Sequence, residues 1–340
     1  MKILGKAGTL SFLEKKQDKY NYTVPPFLKC SKEFYFKNKE KISNAIFKKF
    51  FKQKIIIRSS SKDEDNLNQS NAGKYDSYQL NDLSTLNIQK YSEKVLKKLK
   101  NKDEIIFQKY INNPDYAGVV FTREINSNAP YYSINLDTSG KTDTITSGAN
   151  GTQIKNIIIC RNYAHKSKYR KLLTVIKNIE DLVDDNRLDI EFCVKNKNIF
   201  IVQSRPLKRV RGKVDDKLVY SALRNIEKKF SNLQNSPVTI PGKFTAFSNM
   251  SDWNPAEMIG VKPSLLSLSL YSELITDSVW SEQRKNYLYQ DLKPNPLMVN
   301  FLGCPYIDLR VDFNSFLPND LKKLTKNKII NYLVKRVNAN

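Results

Sequence analysis

LDIEFCVKNKNIFIVQSRP, residues Leu188 to Pro206, decides how the rest of the chain is read. In its first half Leu188, Ile190, Phe192 and Val194 alternate with Asp189, Glu191 and Cys193. In its second half Phe200 and Val202 alternate with Gln203 and Arg205. Strand side chains point to opposite faces in turn, so the stretch predicts two strands around a tight polar turn. A three-residue loop, Asn196 to Asn198, sets Phe192 opposite Val202 and Val194 opposite Phe200. The same register sets Glu191 opposite Gln203 and Asp189 opposite Arg205. A slip of one residue would mix core with charge, so the pattern selects its own register.

Chemically, the polar face suits a metal–nucleotide site. Hard cations such as Mg²⁺ take oxygen ligands, commonly one or two protein groups plus phosphate oxygens. Glu191 and Gln203 offer such oxygens, and the Arg205 guanidinium suits phosphate. The plain alternative is a hairpin whose outer face is solvated, and alternation alone favours that alternative.

Working outward, Gly5-Lys6-Ala7-Gly8-Thr9-Leu10 places a lysine beside two glycines ahead of a helix-like segment. Val24-Pro25-Pro26-Phe27 is a rigid extended break. Lys39 to Lys52 reads as a helix with Ile42, Ile46, Phe47 and Phe50 on one stripe, and Asn87 to Lys102 as another. Lys54 to Arg58 (KIIIR) reads as a buried strand running into a serine-rich, acidic loop that ends at Gly73. Backbone N–H groups, hydroxyls and Arg58 make that loop a phosphate cradle, provided a cation offsets its carboxylates. Strands are expected at Glu104–Ile111, Ala117–Thr122, Tyr131–Leu136 and Gln153–Cys160, with a Ser/Thr/Gly-rich loop from Asp137 to Gly151. Ser167 to Val183 then reads as a long amphipathic helix. The order predicts an α+β arrangement rather than a parallel sheet, and no GxGxxG or GxxxxGK[ST] pattern occurs. Lys208–Lys217 is a polar linker candidate; beyond it Pro, Trp and Tyr punctuate a region of helices and loops that ends in a helix at Leu321–Val337.

Composition narrows the function classes. The chain has 340 residues, 40% hydrophobic, with no apolar run long enough to span a membrane and no extended apolar stretch near its start. Its four cysteines lack CxxC spacing, which argues against a zinc site and fits a reducing cytoplasm. The net charge of +23 raises nucleic-acid binding, but the lysines are spread along the whole chain.

Several of these motifs together resemble the N-terminal ATP-grasp region of the pyruvate phosphate dikinase, phosphoenolpyruvate synthase and rifampin phosphotransferase family. GKAGTL resembles a GGKGxxL start, pointing to Lys6 as an ATP ligand. IIIRSSSKDEDNLNQSNAGKYDSY resembles VRSSATxEDxxxxSFAGxxxT, pointing to Arg58 and the loop to Gly73. EIIFQKYI resembles the strand leading to the adenine-side linker, with Gln108 its glutamine, and AGVVFTRE resembles GVxFTRxP, pointing to Thr122 and Arg123. The opening hairpin resembles the family's DIE…LQxRP element, pointing to Asp189, Glu191, Gln203 and Arg205.

The resemblance implies an ATP-grasp nucleotide-binding fold of two lobes, residues 1–100 and 101–207. A linker and helix at 208–240 and an acceptor-binding or interaction domain at 241–340, mainly helical and loop-rich, complete it. It implies ATP and Mg²⁺ as cofactors: Glu191 and Gln203 as metal ligands; Lys6, Arg58, Gln108, Thr122, Asp189, Glu191 and Gln203 around the nucleotide; and Arg58, Arg123 and Arg205 acting on the transferring phosphoryl group. Departures are equally visible. The segment before Arg58 is short, Ile125 stands where FTRxP has proline, and Ser139-Gly140-Lys141 stands where GxGE is usual. The lone histidine, His165 in NYAHKSKY, does not match the family's TxHxA sequence. The expected activity is therefore ATP-dependent phosphotransfer to a histidine on a phosphohistidine domain in cis or in trans, then to a small-molecule or glycan acceptor. The chain would be the front of a longer enzyme or one part of a split one. The alternatives are a nucleotide-binding module that transfers nothing, an acyl-phosphate ligase and a polyanion-binding protein.

Overall fold

The computed structural model of the protein describes residues 5–61, 77–137, 154–207, 212–235 and 239–338. Residues 62–73 and 138–151 of the two expected loops, and 208–211 of the expected linker, lie outside the described residues. Two compact units divide the chain, Met1–Val219 and Tyr220–Asn340.

In the first unit, apolar alternation resolves into two antiparallel sheets. Strands β1 (Phe27–Ser31), β2 (Ile55–Ser60), β3 (Tyr78–Leu80) and β4 (Glu104–Lys109) form one sheet in the order β1-β4-β2-β3. Strands β5 (Tyr116–Phe121), β6 (Tyr131–Asp137), β7 (Ile154–Cys160), β8 (Leu188–Lys195) and β9 (Asn198–Pro206) form the other, ordered β7-β6-β5-β8-β9. Helices α1 (Gly5–Glu14), α2 (Lys32–Lys37), α3 (Lys39–Phe50), α4 (Thr85–Lys97) and α5 (Arg170–Val183) cover them. Every pairing between these strands is antiparallel, so the class is α+β, as expected.

Each sheet has its own core. Ile42, Ile46 and Phe50 of α3 and Ile88, Val95 and Leu96 of α4 pack on Ile55, Ile57, Ile105 and Phe107. Leu172, Leu173, Ile176, Ile179 and Val183 of α5 pack on Ile190, Phe192, Ile199 and Ile201, and Ala7, Leu10 and Leu13 of α1 join that second core. The N-terminal helix thus packs in the core of the sheet farther along the chain. One glycine is sterically dictated: a Cβ on Gly118 of β5 would sit 2.4 Å from the Asn135 carbonyl oxygen and 3.0 Å from the Phe192 ring.

The β8–β9 hairpin differs from the expected one in its loop. Asp189 faces Arg205 and Glu191 faces Gln203, as the pattern predicted, but Phe192 faces Ile201 and Val194 faces Ile199. The strands close through Asn196 and Lys197, both left-handed at φ 51° and 64°, a two-residue turn of the kind that matches strand twist. A β-bulge follows Glu191, and Val202 is the extra residue. It reverses the alternation of β9. Ile199 and Ile201 face the α5 core, and without the bulge Gln203 and Arg205 would follow them inward. Phe200 and Val202 instead pack with Ile111, Ala117 and Cys193 on the other side.

In the second unit, helix α6 (Asp216–Asn235), within which the division falls, is followed by β10 (Phe247–Ser248), α7 (Pro255–Met258), α8 (Leu265–Tyr271) and α9 (Val279–Asn286). Strands β11 (Met298–Phe301) and β12 (Cys304–Asp308) and helices α10 (Leu309–Ser315) and α11 (Lys323–Asn338) complete it. The three strands form a small antiparallel sheet, β10-β12-β11, that the Pro- and Gly-punctuated sequence did not reveal. Trp280, Leu297, Ile307, Ile330 and Val334 are central to its core.

Candidate functional site

The polar face of the β8–β9 hairpin is covered, not solvated: Asp189 is 7% and Gln203 1% exposed. What covers it comes from the other sheet. Arg58 of β2 donates through Nη2 to Glu191 Oε2 at 2.7 Å and to Gln203 Oε1 at 2.6 Å. Its Nη1 reaches the Val202 carbonyl at 3.5 Å, and Gln108 Nε2 of β4 donates to the same carbonyl at 3.5 Å. The bulge therefore does two things. It turns Gln203 to the same face as Glu191, and it presents a carbonyl to both groups from the first sheet.

Lys6 lies in the first turn of α1, buried, and its charge bears on both Asp189 and Glu191. The helix begins with Gly5 at φ 72°, a conformation that suits glycine, and the Ala7 N–H donates to the Ser60 hydroxyl at 3.0 Å. That bond fixes the start of α1 to the end of β2. Asp189 Oδ2 pairs with Arg205 at 2.7 Å. Its Oδ1 and the Gln108 Oε1 are buried with no hydrogen-bond partner among the described residues.

The two carboxylates differ in charge behaviour. Burial raises the Asp189 pKa above the ordinary range; Arg205 opposes this and Glu191 adds to it. Burial pushes Glu191 the same way, but Arg58 first, then Lys6 and Arg205, hold it below its ordinary value. Glu191 is thus a firmly charged acceptor at neutral pH. Cys193, farther along the same face of β8, is no nucleophile: burial pushes its thiol up to about 12.

Among the described residues no group of three or more His, Cys, Asp or Glu side chains could hold a metal. The donor set nevertheless suits a hard cation completed by phosphate oxygens. It consists of one carboxylate, the Gln203 amide oxygen, and the open oxygen of Asp189. Arg58 already bonds two of those oxygens, so a cation and Arg58 compete for them.

Thr122 and Arg123 sit at the end of β5, away from the Arg58 contacts. The Thr122 hydroxyl donates to the Asn186 carbonyl and accepts from the Leu188 N–H, both at 2.7 Å, bracing the start of β8. Arg123, 5% exposed, is held by Asp216 through two bonds of 2.8 and 2.7 Å and donates to Asn128 at 3.2 Å. In this structure each of these side chains, at the end of β5, is engaged in bonds within the protein. His165 is exposed on the short helical segment Arg161–Lys166.

Sequence reading missed a second buried network. Arg161 forks onto Glu180 at 2.6 and 2.7 Å, donates to the Thr122 carbonyl at 2.7 Å and lies over the Tyr132 ring. A glutamate next to the apolar stripe of α5 was the available signal.

No family model matches the chain. No curated protein matches it either. Among solved structures it is similar to D-alanyl-alanine synthetase A from Vibrio cholerae O1 biovar eltor str. N16961, at 12% identity, TM-score 0.37, over 65% of this chain and 68% of that one. It is also similar to a RimK domain ATP-grasp protein from Sphaerobacter thermophilus DSM 20745, at 11% identity, TM-score 0.34, over 60% and 62%. A third is the macrocyclase MdnC with its precursor peptide MdnA from Microcystis aeruginosa MRC, at 9% identity, TM-score 0.35, over 58% and 52%. With identities and TM-scores this low, these likenesses carry no argument about what the chain does.

Proposed function

We propose that the first unit is an ATP-grasp module that binds Mg-ATP on the polar face of β8–β9 and passes on a phosphoryl group. One observation carries the reading: a guanidinium from one sheet meets a carboxylate and an amide oxygen of the other at 2.6–2.7 Å in a covered site. Phosphoryl transfer depends mainly on positioning and charge, so cations and oxygen ligands suffice without a protein nucleophile. Glu191 and Gln203 would hold Mg²⁺, with Asp189 beside them. The metal would supply positive charge to phosphate oxygens. Arg58, released from Glu191 and Gln203, would turn to phosphate together with Lys6. Arg205, anchored on Asp189, would offset charge on the transferring group, and Gln108 would border the base.

On the finer reading, the chemistry is of the dikinase type and the acceptor is a histidine outside this sequence. A binding module that transfers nothing is favoured by one contact, the bidentate hold of Asp216 on Arg123. The test is the nucleotide product formed from β- and γ-labelled ATP, with Glu191→Ala as control. AMP supports the dikinase reading and ADP a kinase or ligase reaction. Intact ATP, alongside a magnesium-dependent thermal shift that Glu191→Ala abolishes, supports the binding module. No shift with Mg-ATP, or turnover that survives Glu191→Ala, sinks the assignment.

A further inference from the structure

The second unit gathers a polar cluster from three places in its chain. Asp312 of α10 is 3% exposed; its Oδ2 accepts from the Ser251 hydroxyl at 2.5 Å, and its Oδ1 is buried without a hydrogen-bond partner among the described residues. The neighbouring Asp252 pairs through its carboxylate with Arg284 of α9 and bears on the charge of Asp312. Arg284 lies 4.2 Å from the centre of the Phe316 ring, and its Nε is buried without a hydrogen-bond partner among the described residues. Between Asp252 and α7 stands Trp253, left-handed at φ 53° and 37% exposed, its carbonyl held by the Tyr271 hydroxyl. A bulky aromatic residue rarely adopts that backbone, and such strain gathers where a side chain must be presented.

The chemistry of the two unpartnered atoms restricts the ligand that local opening would admit. Asp312 Oδ1 accepts and Arg284 Nε donates. An anion would meet two carboxylates, and a cation would meet the guanidinium. A hydroxyl can answer both, and an exposed indole offers a flat face to the C–H groups of a sugar ring. We propose that Ser251, Asp252, Trp253, Arg284 and Asp312 form a binding site for a neutral, monosaccharide-sized polyol. The site stands on its own geometry and holds whether or not the first unit binds nucleotide. Burial pushes the Asp312 carboxyl up to about 6; Ser251 and Arg284 oppose this and Asp252 adds to it. Such a group weakens the fold at neutral pH, as expected of a residue that serves a ligand.

The experiment titrates the full chain with D-glucose, D-mannose, D-galactose and D-ribose to tens of millimolar, reading tryptophan emission. Inorganic phosphate and putrescine serve as charged probes. Of the two tryptophans, Trp280 is 1% exposed, so Trp253 is the responsive one. The expected result is a saturable change with at least one sugar, lost in Trp253→Phe and weakened about tenfold in Asp312→Asn, which loses a charge-assisted bond. Asp312→Asn should melt no lower than wild type at pH 8, which separates lost binding from lost folding. No response to any of the four sugars overturns the proposal. So does a sugar response that Asp312→Asn leaves undiminished, or saturation by phosphate or putrescine alone.

Discussion

Glu191 and Asp312 are both covered carboxylates beside an arginine, yet their charges are pulled in opposite directions. Around Glu191, three cations (Arg58, Lys6 and Arg205) outweigh the effect of burial. Around Asp312, one arginine is offset by a second carboxylate, Asp252, and burial prevails. Proximity of a guanidinium does not decide the outcome; the local count of charges against the cost of burial does. The consequences for stability have opposite signs. Glu191, lowered from 4.5, contributes stability that is present above that value and lost as pH falls through its folded pKa. Asp312, raised from 3.8 to about 6, lowers stability as pH climbs through that interval.

The largest expected effect tests the geometry on the Glu191 side. Inserting one alanine between Glu191 and Phe192 gives Val202 a partner, removes the bulge and turns Gln203 and Arg205 to the face of Ile199 and Ile201; the variant should fail to melt cooperatively by circular dichroism. A cooperative transition near that of wild type would show that the bulge is dispensable. Next, Arg58→Ala leaves Glu191 with a weaker cation set and strips Gln203 Oε1 of its partner. A loss of about 3 kcal/mol in urea unfolding is expected. A loss below about 1 kcal/mol would mean that Lys6 and Arg205 carry Glu191 alone.

Asp312→Asn should move the other way. It should stabilise the chain by about 1–2 kcal/mol above pH 7, a gain that shrinks toward nothing as pH falls from about 6 to 4. A variant that is less stable at every pH would break the contrast between the two carboxylates. The smallest effect sharpens it. Asp216 is 37% exposed at its side chain, so solvent screens its pairing with Arg123; Asp216→Asn should cost about 1 kcal/mol or less by the same measurement.

Legibility in the sequence followed the range of the interactions. Strands such as Ile55–Ser60 and Tyr116–Phe121 announced themselves as apolar runs, and helix α5 through its stripe. The pairing of Glu191 with Gln203 was legible because polar partners must share a face. The bulge was hidden because Phe200 and Val202 are as apolar as Ile199 and Ile201, so either pair suits a core. Meeting of Arg58 with Glu191, 133 positions apart, was reached through the motif resemblance, not through any local pattern. The hold of Asp216 on Arg123, across 93 positions, left no local trace. Neither did the sheet of the second unit, whose strands are short and one of which contains Pro305.

The single extra residue at Val202 also governs how this chain can be compared with distant sequences. It acts as a parity bit: odd-numbered positions of β9 face the helix core before it and the polar site after it. Aligning the strand with an unbulged counterpart requires a one-residue gap at Val202. A gap placed after Arg205 would equate Gln203 and Arg205 with core positions, and the site would vanish from the comparison while the strand still matched.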